Sequence, residues 1–134
     1  MSNSDIIGGA GIAAYRIHKA LIKNGVHSKL FVNNYYSGDP TVIPPKGNIG
    51  KISAILRPQI IKPIKKLLVT KNTALHSLSI LPSNWAKKLN NSDFEIVHLH
   101  WIQNEMISIK DIGQLKKPIL MNTHDMWPFC GAEH

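Results

Sequence analysis

The period of the hydrophobic positions changes several times along this chain, and each change predicts an element. From Ile12 to Asn24, IAAYRIHKALIKN sets Ile12, Tyr15, Ile17, Ala20 and Leu21 at helical spacing with Lys19 and Lys23 opposite. This predicts an amphipathic helix that Gly25 ends. HSKLFVNN then alternates and is rich in β-formers, so a strand is expected from Lys29 to Asn33. The next stretch, YYSGDPTVIPPKGNIG, is dense in Gly and Pro and reads as a loop. Residues 51–71 look helical, but Pro58 and Pro63 each remove a backbone donor, so short kinked pieces are expected. Pro82 and Ser83 start a further helix, with Trp85 and Leu89 on its buried side and Asn90 and Asn91 closing it. FEIVHLHW reads as a compact strand, DIGQL as a short helix, and PILMNTHD as a strand that Pro118 opens.

Strand and helix in alternation predict an α/β fold, a Rossmann-like parallel sheet with flanking helices, whose ligand site lies at the carboxyl ends of the strands. A glycine-rich turn that opens a helix in such a fold normally follows a buried strand, and MSNSDII is too polar and short to be one. The first strand is therefore expected to be missing. The sequence also stops at GAEH in what reads as a loop leaving a strand, so incompleteness at both ends is expected.

At 134 residues and 43% hydrophobic content, the chain supports one domain with a core of its own. No apolar run approaches the roughly 20 residues of a membrane span, and no basic start leads into an apolar segment. A cytoplasmic location is expected. The lone Cys130 has no second thiol to pair with and reads as a small buried apolar residue. Charge is uneven, with 11 Lys and Arg against 2 acids in residues 1–71 and 5 against 6 in residues 72–134. The excess peaks in KISAILRPQIIKPIKKLLVTK, residues 51–71, where no acid occurs. Two readings of that stretch stand side by side. Ile55, Leu56, Ile60, Ile61, Ile64, Leu67 and Leu68 among the cations would dock on an anionic membrane surface, or the stretch is a solvated helix pair packed on the core.

Three features carry candidate chemistry. In IIGGAGIAAYRIHKAL, Gly8, Gly9, Ala10 and Gly11 bring main-chain N–H groups to a helix start, which suits a phosphate, although GGAG is neither the GxGxxG fingerprint nor a P-loop. In IVHLHW, period two puts His98 and His100 on one side and Val97, Leu99 and Trp101 on the other. On this reading His98 is a packed, hydrogen-bonded residue and His100, nearer the strand end, reaches the cleft. In THDMWPF, His124 and Asp125 stand at a strand's carboxyl end, followed by Trp127 and Phe129, which either wall a pocket or pack in the core. Core packing is the favoured reading for those two aromatics.

Together GGAGIAAYRIHKAL, EIVHLHWI and KPILMNTHDMWPFCGAEH, in that order and spacing, resemble the amino-terminal domain of glycosyltransferase family 4 enzymes of the GT-B fold, of the bacterial exopolysaccharide and lipopolysaccharide type. The resemblance implies a metal-independent, retaining transfer, with no cofactor beyond the nucleotide-sugar donor, to a saccharide or lipid-linked acceptor. It implies that Gly8, Gly9, Ala10 and Gly11 lie at the donor diphosphate, that His124 is catalytic near the donor sugar, and that His100, Asp125 and Trp127 line the cleft or hold the acceptor. The carboxyl-terminal domain, which would supply the nucleotide pocket and its cations, has no counterpart among these residues, and the isolated chain is expected to be inactive.

Two other classes compete. A metal-dependent hydrolase would use His98, His100, His124 and Asp125 and accounts for those residues alone. A nucleic-acid binder would explain only the charge, and the sequence has no RNP-like aromatics, zinc spacing or helix-turn-helix pattern, so no nucleic-acid partner is expected.

Overall fold

Leu30 and Val32 are buried with Ala14 and Tyr15, while Phe31 between them packs edge-on against Trp85 in a second cluster. That alternation makes β2 (Leu30–Asn34) a strand with helices on both faces, one residue later than its pattern predicts. The computed structural model describes residues 1–67 and 76–130. Leu68 and Lys71 of the basic stretch, and the GAEH end, lie outside the described residues.

The strand expected to be missing is present. Ser2–Ser4 forms β1, parallel to β2 with Ser2 opposite Val32 and Ser4 opposite Asn34. It was hidden because its side chains are small and polar where a central strand is usually Val-rich. Ser2 and Ser4 are nonetheless buried, and so is Asp5 after them. The Asp5 carboxylate accepts from the backbone N–H groups of Ile6, Tyr36 and Ser37 at 2.8–3.2 Å, which ties the loop after β2 to the end of β1. Burial alone would raise the Asp5 carboxyl, but the Ser37 hydroxyl, together with those backbone bonds, outweighs it and holds the group below the ordinary carboxylate range.

Beyond β2, Val42–Ile43 adds a short parallel β3 inside the predicted loop, where flanking prolines conceal it. On the other side β4 (Val97–Leu99) pairs with β5 (Ile119–Met121), again in parallel. The two ladders abut. The Met1 amino group donates to the His98 carbonyl, the His100 N–H donates to the Met1 carbonyl at 2.9 Å, and Asn3 N–H donates to the Trp101 carbonyl at 2.7 Å. The first two bonds flank Leu99 in the pattern of a parallel pair. Across the molecule the strands therefore run β3, β2, β1, β4, β5, with the direction of progression reversing between β1 and β4.

Helix α1 (Gly8–Lys23) covers one face of this arrangement. It begins at Gly8, four residues earlier than the hydrophobic pattern suggests, so GGAG is its first turn. Gly25 ends it as expected, with positive φ and its N–H on the Ile22 carbonyl. Its buried stripe is Gly11, Ala14 and His18 instead of the larger Ile12, Tyr15 and Leu21. Close approach decides this. A Cβ on Gly11 would stand 3.0 Å from the Ser4 carbonyl oxygen, so the helix rests on β1 through a small-residue contact. His18 is accommodated because its two ring nitrogens meet Ser28 Oγ and Thr41 Oγ1, both at 2.8 Å.

The opposite face is covered by α4 (Trp85–Asn90) and α5 (Ile109–Gly113), whose Leu89 and Ile112 join Val97, Leu99, Ile102, Met106 and Ile107. Ser108 caps α5, its hydroxyl accepting from Asp111 N–H at 3.0 Å. Residues 47–67 form α2 (Gly47–Ile60) and α3 (Lys62–Leu67). The expected break occurs at Ile61 and not at Pro58, which lies inside α2, while Pro63 falls in the first turn of α3, where no donor is needed. A last short helix, α6 (Trp127–Cys130), follows β5. Cys130, expected to be buried, is exposed on it. Among the described residues no helix is long and apolar enough to cross a membrane.

Candidate functional site

Where the strand progression reverses, the chain has a cavity of about 610 Å3. Its walls are β1 (Ser2, Asn3, Ser4), the start of α1 (Ile7, Gly8, Gly9, Ala10, Gly11), the end of β2 (Asn34, Tyr36), Trp101 beyond β4, and His124 and Asp125 beyond β5. A crevice at the carboxyl ends of parallel strands, at such a reversal, is where open α/β sheets take ligands.

The α1 wall is built to meet an anion. The residue preceding the helix, Ile7, offers no side-chain cap, and no acid occurs in the first turn. Backbone donors of that turn are therefore left for a ligand, and the helix dipole adds partial positive charge. Gly8 enters the helix at φ +74°, a conformation costly to any residue with a Cβ. In the same wall, the Ser2 hydroxyl is buried and meets no hydrogen-bond partner among the described residues. Among the described residues no Lys or Arg lines the cavity.

The opposite wall hangs on a set of paired side chains. His98 and His100 lie 4.2 Å apart between ring centroids, and His100 and His124 stack at 5.4 Å. His98 Nε2 meets Asn122 Oδ1 at 2.8 Å, and His100 Nδ1 meets His124 Nε2 at 3.1 Å. Burial above all, aided by the neighbouring His98, the chain's amino terminus and His124, lowers the His100 pKa from 6.5 to about 3. A neutral His100 fixes the ring of His124 by one hydrogen bond and leaves its Nδ1 as the nitrogen available to a ligand. Asp125 accepts from Trp101 Nε1 at 2.8 Å and from the Trp127 N–H at 3.1 Å, which sets the turn that carries His124.

Of the residues singled out from sequence, Gly8, Gly9, Ala10, Gly11, His124 and Asp125 come together here. His100 and Trp127 do not line the cavity. His100 is buried behind His124, and it is His124 that reaches the opening. His98 is the packed, hydrogen-bonded residue its position suggests. Trp127 is a core residue whose indole donates to the Ser77 carbonyl at 2.8 Å, whereas Phe129 is exposed. Trp101, assigned by alternation to the side of Val97 and Leu99, instead faces the cavity, because β4 ends at Leu99 and strand periodicity stops there. Asp5, Asn34 and Tyr36 carry no motif in the sequence. A carboxylate followed by a glycine-rich turn was the one available signal, and it marks the staple that holds Tyr36 at the rim. Among the described residues no group of three or more His, Cys, Asp and Glu side chains is placed to hold a metal ion.

No family model matches the chain, and neither a curated protein nor a solved structure matches it.

Proposed function

We propose that the chain is the acceptor-side half of a retaining, metal-independent glycosyltransferase of the GT-B kind, and that its cavity takes the diphosphate and sugar of a nucleotide-sugar donor. One observation carries this reading: the GGAG turn and the His124–Asp125 turn, from opposite ends of the sequence, share a single cavity at the strand reversal. The strand order and the motif resemblance described above support it.

In this reading the uncapped amides of α1 receive phosphate oxygens and Gly11 keeps α1 close enough to β1 for the Ser2 hydroxyl to lie beneath them. His124, steadied by His100, donates to the donor sugar. Transfer breaks the bond from the anomeric carbon to the diphosphate oxygen, forms one to the acceptor oxygen on the same face, and passes the acceptor hydroxyl's proton to the departing diphosphate. The departing diphosphate needs cationic stabilisation that α1 alone does not supply, and the resemblance assigns those cations to a carboxyl-terminal domain.

Amide chemical shifts followed during titration with nucleotide sugars, free nucleotides and inorganic pyrophosphate test the site. Saturable shifts at Gly8–Gly11, Asn34, His124 and Asp125, tighter with a nucleotide sugar than with pyrophosphate, are expected. A response confined to other surfaces sinks the proposal. Incubating the 134-residue chain with nucleotide sugars and lipid-linked acceptors should give no transfer; turnover would show that the resident residues suffice.

A further inference from the structure

Helix α2 turns its apolar side away from the protein. None of its residues is buried, and Ile49 (86%), Ile52 (54%), Ile55 (67%), Leu56 (49%) and Ile60 (57%) are largely exposed. Helical geometry places Ile49, Ile52, Leu56 and Ile60 in one stripe roughly 80° wide, with Ile55 on its flank. Exposed Ile64 of α3 extends the apolar surface. The other side of α2 presents Gly50, Ala54 and Arg57 to a cavity of about 360 Å3 shared with α4. Arg57 holds the helix to the body by donating to the carbonyls of Glu105, Pro82 and Leu81 at 2.5–2.7 Å, and Ile61 is buried at the joint with α3. An amphipathic helix that only packed on its own core would be oriented the opposite way. Where α2 rests on the body it does so through Gly50, Ala54 and Arg57, and its apolar face is left to solvent.

What covers the stripe is decided by charge. Lys46 precedes α2, Lys51 lies beyond Ile55 on its exposed flank, Lys62 and Lys65 follow on α3, and the sequence contains no acid between Asp39 and Asp93. Positive charge continues into the α2–α4 cavity, where Lys88 lies 4.2 Å from the Trp85 ring centroid and 4.5 Å from that of Phe31. Burial and the nearby Lys46 lower the Lys88 pKa, so these cations add to each other's field. A second copy of the chain would set cations against cations around the apolar contact. A neutral apolar partner would leave them unpaired.

We infer that α2 and the start of α3 form an interfacial docking element for an anionic lipid bilayer, with the isoleucine stripe entering the acyl boundary and the lysines meeting lipid phosphates. The inference stands on this helix alone and does not depend on the reading of the strand-end cavity.

Flotation of the intact chain with phosphatidylcholine vesicles, and with vesicles also containing phosphatidylglycerol, tests it. Binding to the anionic vesicles only, weakened by high salt, is expected. Replacing Lys51, Lys62 and Lys65 by Gln should lower the partition coefficient by roughly fivefold per cation. The double variant Ile52→Ser, Leu56→Ser should lower it at least tenfold with unchanged circular dichroism, since both positions are exposed. Equal binding to neutral and anionic vesicles, no binding at all, or binding untouched by the serine pair would overturn the inference. So would a stable dimer in sedimentation analysis that the serine pair abolishes, which would assign the stripe to a second copy.

Discussion

Gly8, Gly9 and Gly11 show how differently three glycines of one turn are constrained. A Cβ on Gly11 meets the Ser4 carbonyl oxygen at 3.0 Å, backbone against backbone, so Gly11→Ala must push α1 off β1. Urea unfolding should show a loss of about 1–3 kcal/mol, as for overpacking elsewhere. Gly8→Ala meets no atom but must hold φ +74°, and should cost about 1–2 kcal/mol. Gly9 has neither constraint, and Gly9→Ala should leave stability unchanged or slightly improved. Equal costs at the three positions would contradict the close packing of α1 on β1. The sequence shows that glycines are concentrated here but not which one is indispensable, because that depends on an oxygen contributed by Ser4 from the preceding strand.

At the scale of the element, α2 is held less by packing than by one side chain. Glu105 accepts the N–H groups of Ser79, Ile80 and Leu81 at 2.8–3.0 Å, and this shapes the loop whose carbonyls then receive Arg57. Asn104 and Glu105 both adopt positive φ, strain that the Glu105 bonds offset. Arg57→Ala should release α2, so hydrogen exchange at its amides should quicken at least tenfold while the β2 amides keep their protection. Arg57→Lys should recover little, since one ammonium cannot reproduce the guanidinium fork. Glu105→Gln turns an acceptor oxygen into a donor facing buried N–H groups and should destabilise the whole chain by about 1–3 kcal/mol. The helical character of residues 51–60 was legible in the sequence, but not the start at Gly47 or the uninterrupted passage through Pro58. Nor was the outward-facing stripe of α2, because periodicity reveals an apolar face without saying which way it turns.

For the whole molecule, the critical line is the seam between β1 and β4, where Met1 bonds to His98 and His100 and two small ladders become one surface. Both ionisable groups there are held neutral by burial: the Met1 ammonium pKa falls from 8.0 to about 5, and that of His100 from 6.5 to about 3. In each case the unfolded chain binds the proton at higher pH than the folded one. Stability should therefore be greatest above pH 8, decline as pH falls from 8 towards 5 through Met1, and decline further between 6.5 and 3 through His100. Urea midpoints across that range check this, and a midpoint that rises on acidification would contradict it. The same seam bounds the strand-end cavity, so protonation that opens it should also weaken ligand shifts at Gly8–Gly11.

The alternation of helix and strand, the helix stop at Gly25, the opposition of His98 to Val97 and Leu99, and the two turns that meet at the cavity can all be read from residue order alone. These are local matters, set by period, by glycine and proline, and by the two faces of a strand. Only the tertiary structure decided that Ser2–Ser4 is a central strand, since its hydrogen bonds come from two distant partners and its small side chains carry no β pattern. It also decided that His124 reaches the cavity while His100 stays behind it, and that Trp127 belongs to the core while Trp101 faces the opening. Those choices depend on where β4 and β5 end, and therefore on contacts between segments that no period within either segment records.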